Sequence, residues 1–368
     1  MLPAHCPVAS RDYFRHPREP FHHRRIKQLI RDVTITMTQL VTGSTAKVRL
    51  TAEREGPRYY GHLWVFDSNV TEVLGTPAAG DLVDVYTHQK RFFGRGLFNP
   101  HSKIRIRMLT FQEEPIDEDF FAARLRAAAA LRRTVAPHAT ACRLVHGESD
   151  LLPGLVVDRF AEVAVMQTLG YGMDVRKELL GELLVQEAGV KTVYLRNDAK
   201  SRTLEGLPLS KGFLRGEGAT TVNIHEGKAQ FTVDFADGQK TGWFCDQREN
   251  RIAAALFAKG KTVLEAFCHT GGFGIQAALA GAQSVEGLDV SAAAVALAQA
   301  HADQNQVAAR CQYRQADAFE ELRLLERNGK RYGVVILDPP AFARSKKAVP
   351  HAIAGYKEVN LRGLRLLQ

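Results

Sequence analysis

Acidic residues stand at or beside the ends of four consecutive apolar segments in the C-terminal third of this 368-residue chain. Short, continuously apolar runs with β-branched residues predict parallel strands that are covered on both faces. In open α/β sheets, ligands bind at the carboxyl ends of such strands. Carboxylates at that edge can accept hydrogen bonds from hydroxyl and amino groups of a ligand. The four residues are Glu265, Asp289, Asp317 and Asp338.

The fourth apolar segment runs into the sequence 338-DPPAF-342. Proline cannot continue a strand ladder, and it biases the residue before it away from the helical conformation. Asp338, Pro339 and Pro340 therefore predict a stiffened backbone at the edge where ligands bind, followed by the aromatic ring of Phe342. A plain strand-to-loop turn is the alternative interpretation.

The turn after the first segment, 265-EAFCHTGGFG-274, is rich in glycine. Gly271 and Gly272 allow close approach of the backbone to a ligand, and the start of the following helix presents free N–H groups. The spacing is not G-x-G-x-x-G. Dinucleotide dehydrogenases use acids at the first two strand ends but do not need Asp-Pro-Pro at the fourth, whereas S-adenosylmethionine methyltransferases use all four. An α/β domain with incidental acids is the remaining alternative.

Strands and helices alternate after Asp237, which predicts a parallel, doubly wound sheet. The predicted strands are 262–266, 284–288, 311–315 and 333–337, and the predicted helices are 247–258, 272–280, 291–305, 318–327 and 350–367.

Residues 47–110 contain short strands separated by turn sequences, a spacing that predicts a small β-barrel. In 104-IRIRML-109 apolar and basic residues alternate, so one face of this strand is basic. Beside His62, Trp64 and Phe66, a basic face suits contacts to RNA phosphates and bases. A solvated strand face is the alternative. The predicted strands are 47–50, 63–66, 82–86, 91–98 and 104–109.

A connector helix and a mixed α+β region follow the barrel. Acids in the first turn, internal alanines and arginines near the end predict a helix over 117–136. Beyond it, the predicted strands are 141–146, 155–158, 162–169, 192–196, 221–225 and 228–234, with a helix at 173–188.

Bulk properties favour a soluble protein with a polyanionic partner, because the net charge is +9 and the pI is near 9.3. The five cysteines are scattered without a CxxC pair, so neither a metal site nor a disulfide framework is indicated. No apolar run reaches the ~18 residues that a bilayer span needs, and the first residues lack a secretory signal. We therefore expect a cytoplasmic protein without a membrane partner.

Residues 1–36 predict a basic, poorly ordered arm that contacts RNA, or an extension without function.

The stretch 234-DFADGQKTGWFCDQRENR-251 resembles the signature that precedes the methyltransferase domain in the RlmI-like family of ribosomal RNA large-subunit methyltransferases. The resemblance covers about residues 41–368. Further matching stretches are 265-EAFCHTGGFG-274, 338-DPPAFARSK-346 and 356-YKEVNLRGLRLL-367, with 61-GHLWVF-66 and 94-GRGLFNPHSKI-104 for the barrel and 147-GESDLLPGLVVDRF-160 for the middle domain.

This resemblance implies a class I (Rossmann-like) methyltransferase domain preceded by a small PUA-like β-barrel and a mixed α+β middle domain. It also implies methyl transfer from S-adenosylmethionine to carbon 5 of a cytosine in 23S ribosomal RNA. The predicted parts are an arm (1–40), the barrel (41–112), a helical connector (113–136), the middle domain (137–236) and the methyltransferase domain (237–368).

Carried over residue by residue, the resemblance also implies the site. The base pocket comprises Asp338, Pro339, Pro340 and Phe342, since Asp338 can bind a base edge and Phe342 can stack on a flipped base. The remaining residues border the cofactor: Gln239, Lys240, Thr241, Phe244, Asp246, Gln247 and Arg248 near the base pocket, Glu265, Phe267, Thr270, Gly271 and Gly272 at the methionine part, Asp289 at the ribose and Asp317 at the adenine.

Methylation at carbon 5 needs a covalent nucleophile, because that carbon is unactivated until carbon 6 is attacked, and a thiolate suits this attack. The resemblance implies a cysteine after the strand that follows the helix ending near Leu367. We therefore expect the nucleophile beyond Gln368, a chain truncated at its C-terminus and no activity without the missing part. Cys245 and Cys268 are interpreted as small buried residues.

Other functions stay open. A guanine-N (N7 or N2) methyltransferase on the same scaffold needs no covalent nucleophile. A non-catalytic rRNA-binding assembly factor would not bind S-adenosylmethionine, and a hydride-transferring dehydrogenase would bind NADH. The oligomeric state is also open, with a homodimer as one option.

Overall fold

The computed structural model describes residues 46–55, 61–343 and 345–368. The arm predicted over 1–40 lies outside these residues. No helix in the described part of the chain combines the length and the apolar character that crossing a membrane requires.

An N-terminal sheet contains the predicted barrel strands. Its members are β1 (Lys47–Leu50), β2 (Trp64–Phe66), β3 (Val70–Leu74), β4 (Leu82–Tyr86), β5 (Phe92–Phe98) and β6 (Ile104–Thr110). The order is β2-β6-β5-β4-β1-β3, with β1 and β4 parallel and the other neighbours antiparallel. Alternate residues such as Val48, Val83 and Met108 point into one buried core.

The basic face predicted on β6 is wrong for Arg107. This side chain is buried, its Nη2 donates to Glu205 Oε1 at 2.7 Å, and its guanidinium lies 5.7 Å from the Trp64 ring centroid. Arg105 is half-buried and donates to the carbonyl oxygen of Pro100. Arg107 therefore contacts the middle domain and is not available to an RNA phosphate, whereas Arg105 bonds within the N-terminal part.

Glu205 joins the N-terminal sheet to the middle domain. Its buried carboxylate accepts hydrogen bonds from Ser102 Oγ at 2.7 Å and Asn99 Nδ2 at 3.1 Å, in addition to the bond from Arg107. A charge removed from water is tolerated only when it is paired and hydrogen-bonded in this way.

The middle domain is a sheet covered by helices. Its strands are β7 (Ala141–His146), β8 (Leu155–Phe160), β9 (Val163–Thr168), β10 (Thr192–Asn197) and β11 (Ser210–Arg215), and its helices are α1 (Glu118–Val135), α2 (Tyr171–Asp174) and α3 (Lys177–Ala188). The strand order is β11-β10-β9-β8-β7. Asp117 caps α1 by accepting a hydrogen bond from Phe120 N, and the apolar stripe of α1 packs with α3 through Phe121, Leu125 and Leu184.

A β-hairpin, β12 (Thr221–Glu226) and β13 (Ala229–Asp234), connects the middle domain to the C-terminal sheet. Its buried Phe231 and Phe235 share one core with Phe160 and Tyr194 of the middle domain and with Ile275 of the C-terminal domain. The hairpin therefore packs against both parts of the protein.

The C-terminal domain is the predicted parallel α/β sheet. Its strands are β14 (Thr262–Ala266), β15 (Ser284–Asp289), β16 (Cys311–Gln315) and β17 (Val334–Leu337), and its helices are α4 (Arg248–Ala255), α5 (Gly272–Leu279), α6 (Ala292–Gln304), α7 (Ala318–Arg327) and α8 (Val349–Arg365). The order β16-β15-β14-β17 is parallel throughout. Val263 and Val285 face one core, whereas Leu264 and Leu288 face another, so both faces are covered as the apolar runs predict.

Two strands are absent from the sequence prediction. Both β3 and β11 lie at a sheet edge, and neither contains a buried residue. Neither therefore carries the apolar period that identifies a covered strand, and Gly212 within β11 weakens the strand pattern further.

We expect Glu205→Gln to lower the free energy of unfolding by about 3–5 kcal/mol, because the buried Arg107 charge loses its carboxylate partner at 2.7 Å and keeps only Glu148 at 3.8 Å. Urea denaturation measures the change. The matched control is Glu187→Gln, which breaks the exposed ion pair with Arg126 and should leave the midpoint nearly unchanged. Equal effects of the two substitutions would contradict the role of Glu205.

Candidate active site

The carboxyl ends of the parallel strands meet along one edge of the C-terminal sheet. Ala266 of β14 lies opposite Leu288 of β15 and Leu337 of β17. On the next strand pair, Asp289 lies opposite Gln315 of β16. This register brings the predicted acids to the same edge, and they are Glu265, Asp289, Asp317 and Asp338.

The turn after β14 has a strained backbone. Phe267 (φ 63°) and His269 (φ 48°) lie in the left-handed region, and Gly271 (φ 77°) precedes α5. A non-glycine residue in this region costs about 1–3 kcal/mol, and such strain concentrates at ligand-binding turns. The His269 N–H donates to Asp289 Oδ2 at 2.8 Å, a contact that helps to hold the conformation.

The glycines of this turn are required by packing behind it. A Cβ on Gly271 would lie 2.8 Å from Tyr313 Oη, and one on Gly272 would lie 2.9 Å from Arg251 Cδ. A side chain at either position would therefore force these neighbours or the turn itself to move.

Glu265 lies buried beneath the turn. Its carboxyl oxygens accept hydrogen bonds from Gly274 N at 2.9 Å and Phe273 N at 3.2 Å. Burial raises the pKa of Glu265 to about 8, although these bonds and the charge of Arg251 act in the opposite direction. The carboxyl is thus close to its ionisation point near neutral pH, and a bound cationic group would favour its charged form.

Asp289 and Asp317 each hold backbone N–H groups at the sheet edge. Asp289 Oδ1 accepts from Ser291 N at 2.9 Å, and Asp317 Oδ1 caps α7 by accepting from Phe319 N at 2.9 Å and Glu320 N at 3.1 Å. A carboxylate offers more lone pairs than these bonds use. Both side chains can therefore accept further hydrogen bonds from a hydroxyl or amino group.

The segment 239–248 links the hairpin to α4 and contacts the strained turn. The hydroxyl of Thr241 donates to the buried Asp158 Oδ2 at 2.6 Å, which anchors the segment to the middle domain. Lys240 Nζ lies 4.3 Å from the ring centroid of Phe244, and that ring meets His269 edge to face at 5.5 Å.

Other predicted residues of this segment make fewer contacts with the site. Gln239 and Asp246 are exposed, and Arg248 Nε donates to Glu249 Oε1 at 2.9 Å. Thr270 is buried in the turn, where its carbonyl oxygen contacts His301 Nδ1 at 2.9 Å. The structure therefore brings Phe244 and Thr270 to the turn, whereas Arg248 pairs with its neighbour.

A buried ion pair that the sequence analysis does not identify holds these parts together. Glu226 accepts from Arg251 at 2.6 and 2.8 Å and from Trp243 Nε1 at 2.8 Å. Arg251 also donates to the carbonyl oxygen of Phe244 at 3.0 Å, and Gln276 of α5 donates to the carbonyl oxygen of Glu226 at 2.8 Å. The one sequence feature that could have indicated this ion pair is the position of Arg251 at the end of the family signature 234–251.

His301 is a second residue absent from the sequence prediction. Its buried ring lies between the hairpin and the turn, with Nδ1 against the carbonyl oxygen of Thr270 and Nε2 accepting from Thr232 N at 3.0 Å. Nε2 also lies 3.2 Å from the carbonyl oxygen of Thr232, but the shorter contact with Thr232 N and the contact of Nδ1 with the carbonyl oxygen of Thr270 both fit a neutral ring with its proton on Nδ1. Burial lowers the pKa of His301 in agreement with this assignment.

The Asp-Pro-Pro sequence follows β17 as predicted. Asp338 Oδ2 accepts a hydrogen bond from Gln247 Nε2 at 3.2 Å. Desolvation and the nearby carboxylate of Asp246 raise the pKa of Asp338. Pro339 is half-buried and Pro340 is exposed.

Phe342 belongs to a cluster of aromatic rings. Its ring centroid lies 4.5 Å from that of Tyr356, 5.5 Å from Phe319 and 6.4 Å from Phe267. The half-buried ring thus packs against Tyr356 of α8 and Phe319 of α7, and it also lies beside Phe267 of the turn.

The cysteines near the turn are thiols. Cys268 is buried and Cys245 is half-buried. Desolvation raises the pKa of both side chains well above the ordinary value. Neither is a thiolate near neutral pH, so neither is prepared for nucleophilic attack.

Comparison with known families identifies two regions of the chain. A family described as "PUA-like domain" matches residues 48–111, and a family described as "S-adenosylmethionine-dependent methyltransferase" matches residues 208–363.

Two curated relatives carry the name ribosomal RNA large subunit methyltransferase I. The protein from Shewanella denitrificans is 42% identical over 327 residues, which cover 87% of this chain and 82% of the relative. The protein from Aliivibrio fischeri is 38% identical over 328 residues, covering 88% and 83%.

Solved structures share the fold. A protein from Streptococcus mutans, described as a SAM-dependent methyltransferase, superposes with a TM-score of 0.71 at 21% identity, covering 88% of this chain and 83% of that chain. A methyltransferase structure in complex with SAH gives a TM-score of 0.71 at 23% identity, covering 88% and 82%.

We expect His301 to make stability depend on pH. Its pKa lies below the ordinary value of 6.5 in the folded protein. The contribution of neutral His301 to the free energy of unfolding is therefore complete above pH 6.5 and declines as the pH falls further. The free energy of unfolding, measured between pH ~7 and ~5, should therefore fall more steeply in the native protein than in His301→Gln. His138→Gln, at an exposed position, should keep the native slope; identical slopes in native protein and His301→Gln would contradict the assignment.

Proposed function

The chain belongs to the ribosomal RNA large subunit methyltransferase I family, and from this premise we propose that it methylates carbon 5 of a cytosine in 23S ribosomal RNA. S-adenosylmethionine is the cofactor of its methyltransferase domain. The observation that carries the proposal is the convergence of four carboxyl groups on one sheet edge around a strained turn.

The residues around the turn fit S-adenosylmethionine by the chemistry of their side chains. Glu265 would pair with the ammonium of the methionine part, Asp289 would accept from the ribose hydroxyls, and Asp317 would accept from the adenine amino group. The cofactor supplies an electrophilic methyl group when bound. The other proposed contacts are Gln239, Lys240, Thr241, Phe244, Asp246, Gln247, Arg248, Phe267, Thr270, Gly271 and Gly272.

The target base would bind beside Asp338. Its carboxylate can accept from the amino group of a cytosine, and Pro339 and Pro340 restrict the backbone that carries it. Phe342 lies in the aromatic cluster and would supply an apolar surface for a base that has left its stack.

The N-terminal sheet would hold the RNA outside the active site. The rings of His62, Trp64 and Phe66 lie within 5.7–6.4 Å of one another on this sheet, and stacking on such rings is a common mode of RNA recognition. The net charge of +9 favours a polyanion as well.

Guanine-N methylation is the second candidate, and the state of the thiols favours it. Attack on carbon 6 of cytosine needs a thiolate, but burial raises the pKa of Cys142, Cys245, Cys268 and Cys311, the cysteines among the described residues. The cytosine reaction would therefore need a thiolate from outside the described residues, whereas a guanine nitrogen reacts without one.

We expect Asp289→Ala to weaken S-adenosylmethionine binding by about 1–3 kcal/mol, because a charge-assisted hydrogen bond to the ribose is lost. Isothermal titration calorimetry measures the affinity, and thermal unfolding verifies that the turn keeps its fold. Asp303→Ala, at an exposed position of α6, is the matched control. Unchanged affinity would remove Asp289 from the ribose role.

The proposed target is tested by methyl transfer from labelled S-adenosylmethionine to unmodified 23S ribosomal RNA, followed by mass spectrometry of the nucleosides. The expected product is 5-methylcytidine, formed by a protein that includes the residue supplying the thiolate. RNA containing 5-fluorocytosine should in addition form a covalent adduct with the protein, because the thiolate cannot be released after methyl transfer. A methylguanosine product without an adduct would replace the cytosine proposal by the guanine one.

A further inference from the structure

Three side chains form a directed chain of hydrogen bonds at the end of β17. Asn250 Nδ2 donates to Gln247 Oε1 at 2.7 Å, and Gln247 Nε2 donates to Asp338 Oδ2 at 3.2 Å. An ionised Asp338 carboxylate only accepts hydrogen bonds, so the Gln247 amide presents its NH2 to Asp338 and its oxygen to Asn250. The donor end of Gln247 therefore faces the carboxylate of Asp338.

Gln247 and Asp338 are both attached to backbone that the fold holds in place. Gln247 immediately precedes α4, and the buried pair between Arg251 of that helix and Glu226 fixes the helix against the hairpin. Asp338 follows β17 and precedes two prolines. The relative position of amide and carboxylate is thus determined by the fold.

We propose that Gln247 is a positioning residue that makes the site specific for a base with an exocyclic amino group and excludes uracil. The inference rests on the proposed base pocket at Asp338. Gln247 engages Oδ2, and within the described residues no hydrogen-bond donor reaches Oδ1. An ionised carboxylate oxygen only accepts hydrogen bonds, so the edge of the base that meets it must donate. Uracil also donates from its N3–H, so the contact that discriminates is the one at carbon 4, where cytosine presents an amino group and uracil presents a carbonyl oxygen that the carboxylate repels.

The surrounding charges explain why a donor is needed at this position. Desolvation and Asp246 favour the protonated form of Asp338, whereas Arg251 and Lys240 favour the ionised form. The hydrogen bond from Gln247 also favours the ionised form of Asp338, because donation to a carboxylate stabilises its charge. Without it, a larger fraction of Asp338 would carry a proton that can be donated to the carbonyl oxygen of uracil.

The test begins with the native full chain on unmodified 23S ribosomal RNA, which identifies the methylated position and decides the proposed function separately. Short RNAs with cytosine or uracil at that position then give kcat and KM for the native protein, Gln247→Met and Asn250→Ala. Met matches the length of Gln but cannot donate. The control is Gln283→Met, at an exposed position away from the sheet edge.

We expect Gln247→Met to lower kcat on the cytosine RNA by roughly 10- to 100-fold and to lower the ratio of kcat/KM for cytosine RNA over uracil RNA by a similar factor. Asn250→Ala, which frees the amide to rotate, should give a smaller change in the same direction. Gln283→Met should behave as the native protein.

A second measurement does not depend on catalysis. Titration of ¹³C-labelled aspartate by NMR, with Asp338→Asn for assignment, should show a higher Asp338 pKa in Gln247→Met than in the native protein. If guanine proves to be the target, inosine replaces uracil as the base that lacks the amino group. The proposal is overturned if Gln247→Met changes neither the base preference nor the pKa of Asp338. If no RNA is methylated, an unchanged pKa of Asp338 in Gln247→Met is enough to overturn it.

Discussion

The buried pair between Glu226 and Arg251 is the constraint on which the active-site geometry depends. Arg251 contacts the carbonyl oxygen of Phe244 and packs on Trp243, while the carbonyl oxygen of Glu226 receives a bond from Gln276 of α5. The hairpin, the segment 239–248 and helix α5 are thus all held by the same buried ion pair. A buried pair is a costly way to gain stability but a precise way to set geometry, because removal of one partner leaves the other charge without compensation.

The acids at the sheet edge act on the backbone as well as on a ligand. Asp289 holds the strained turn through His269, and Glu265 receives the first N–H groups of α5. The turn is therefore shaped by the same carboxyl groups that we propose as ligand contacts. Such a preorganised site loses little freedom when a ligand binds, which favours affinity.

Local patterns made the C-terminal sheet predictable. Strand 311–315 and helix 318–327 coincide with the predicted ranges, because apolar period and capping acids are both local signals. Arg107, Glu226 and His301 were outside the reach of that reasoning. Their partners lie far along the chain. The local sequence therefore does not distinguish an arginine that pairs with a buried glutamate from one that is exposed to water. The arm over 1–40 and the domain limits stay predictions.

The core shared by the hairpin, the middle domain and the C-terminal domain has a thermodynamic consequence. Phe231 and Phe235 of the hairpin region bury their rings against Tyr194 on one side and near Ile275 on the other. Strands β8 to β10 and the methyltransferase sheet therefore lose part of the same apolar contact when either unfolds. A ligand that binds only the folded turn stabilises everything linked to it by mass action. Binding of the cofactor at the turn should thus protect backbone amides of the middle domain from hydrogen exchange.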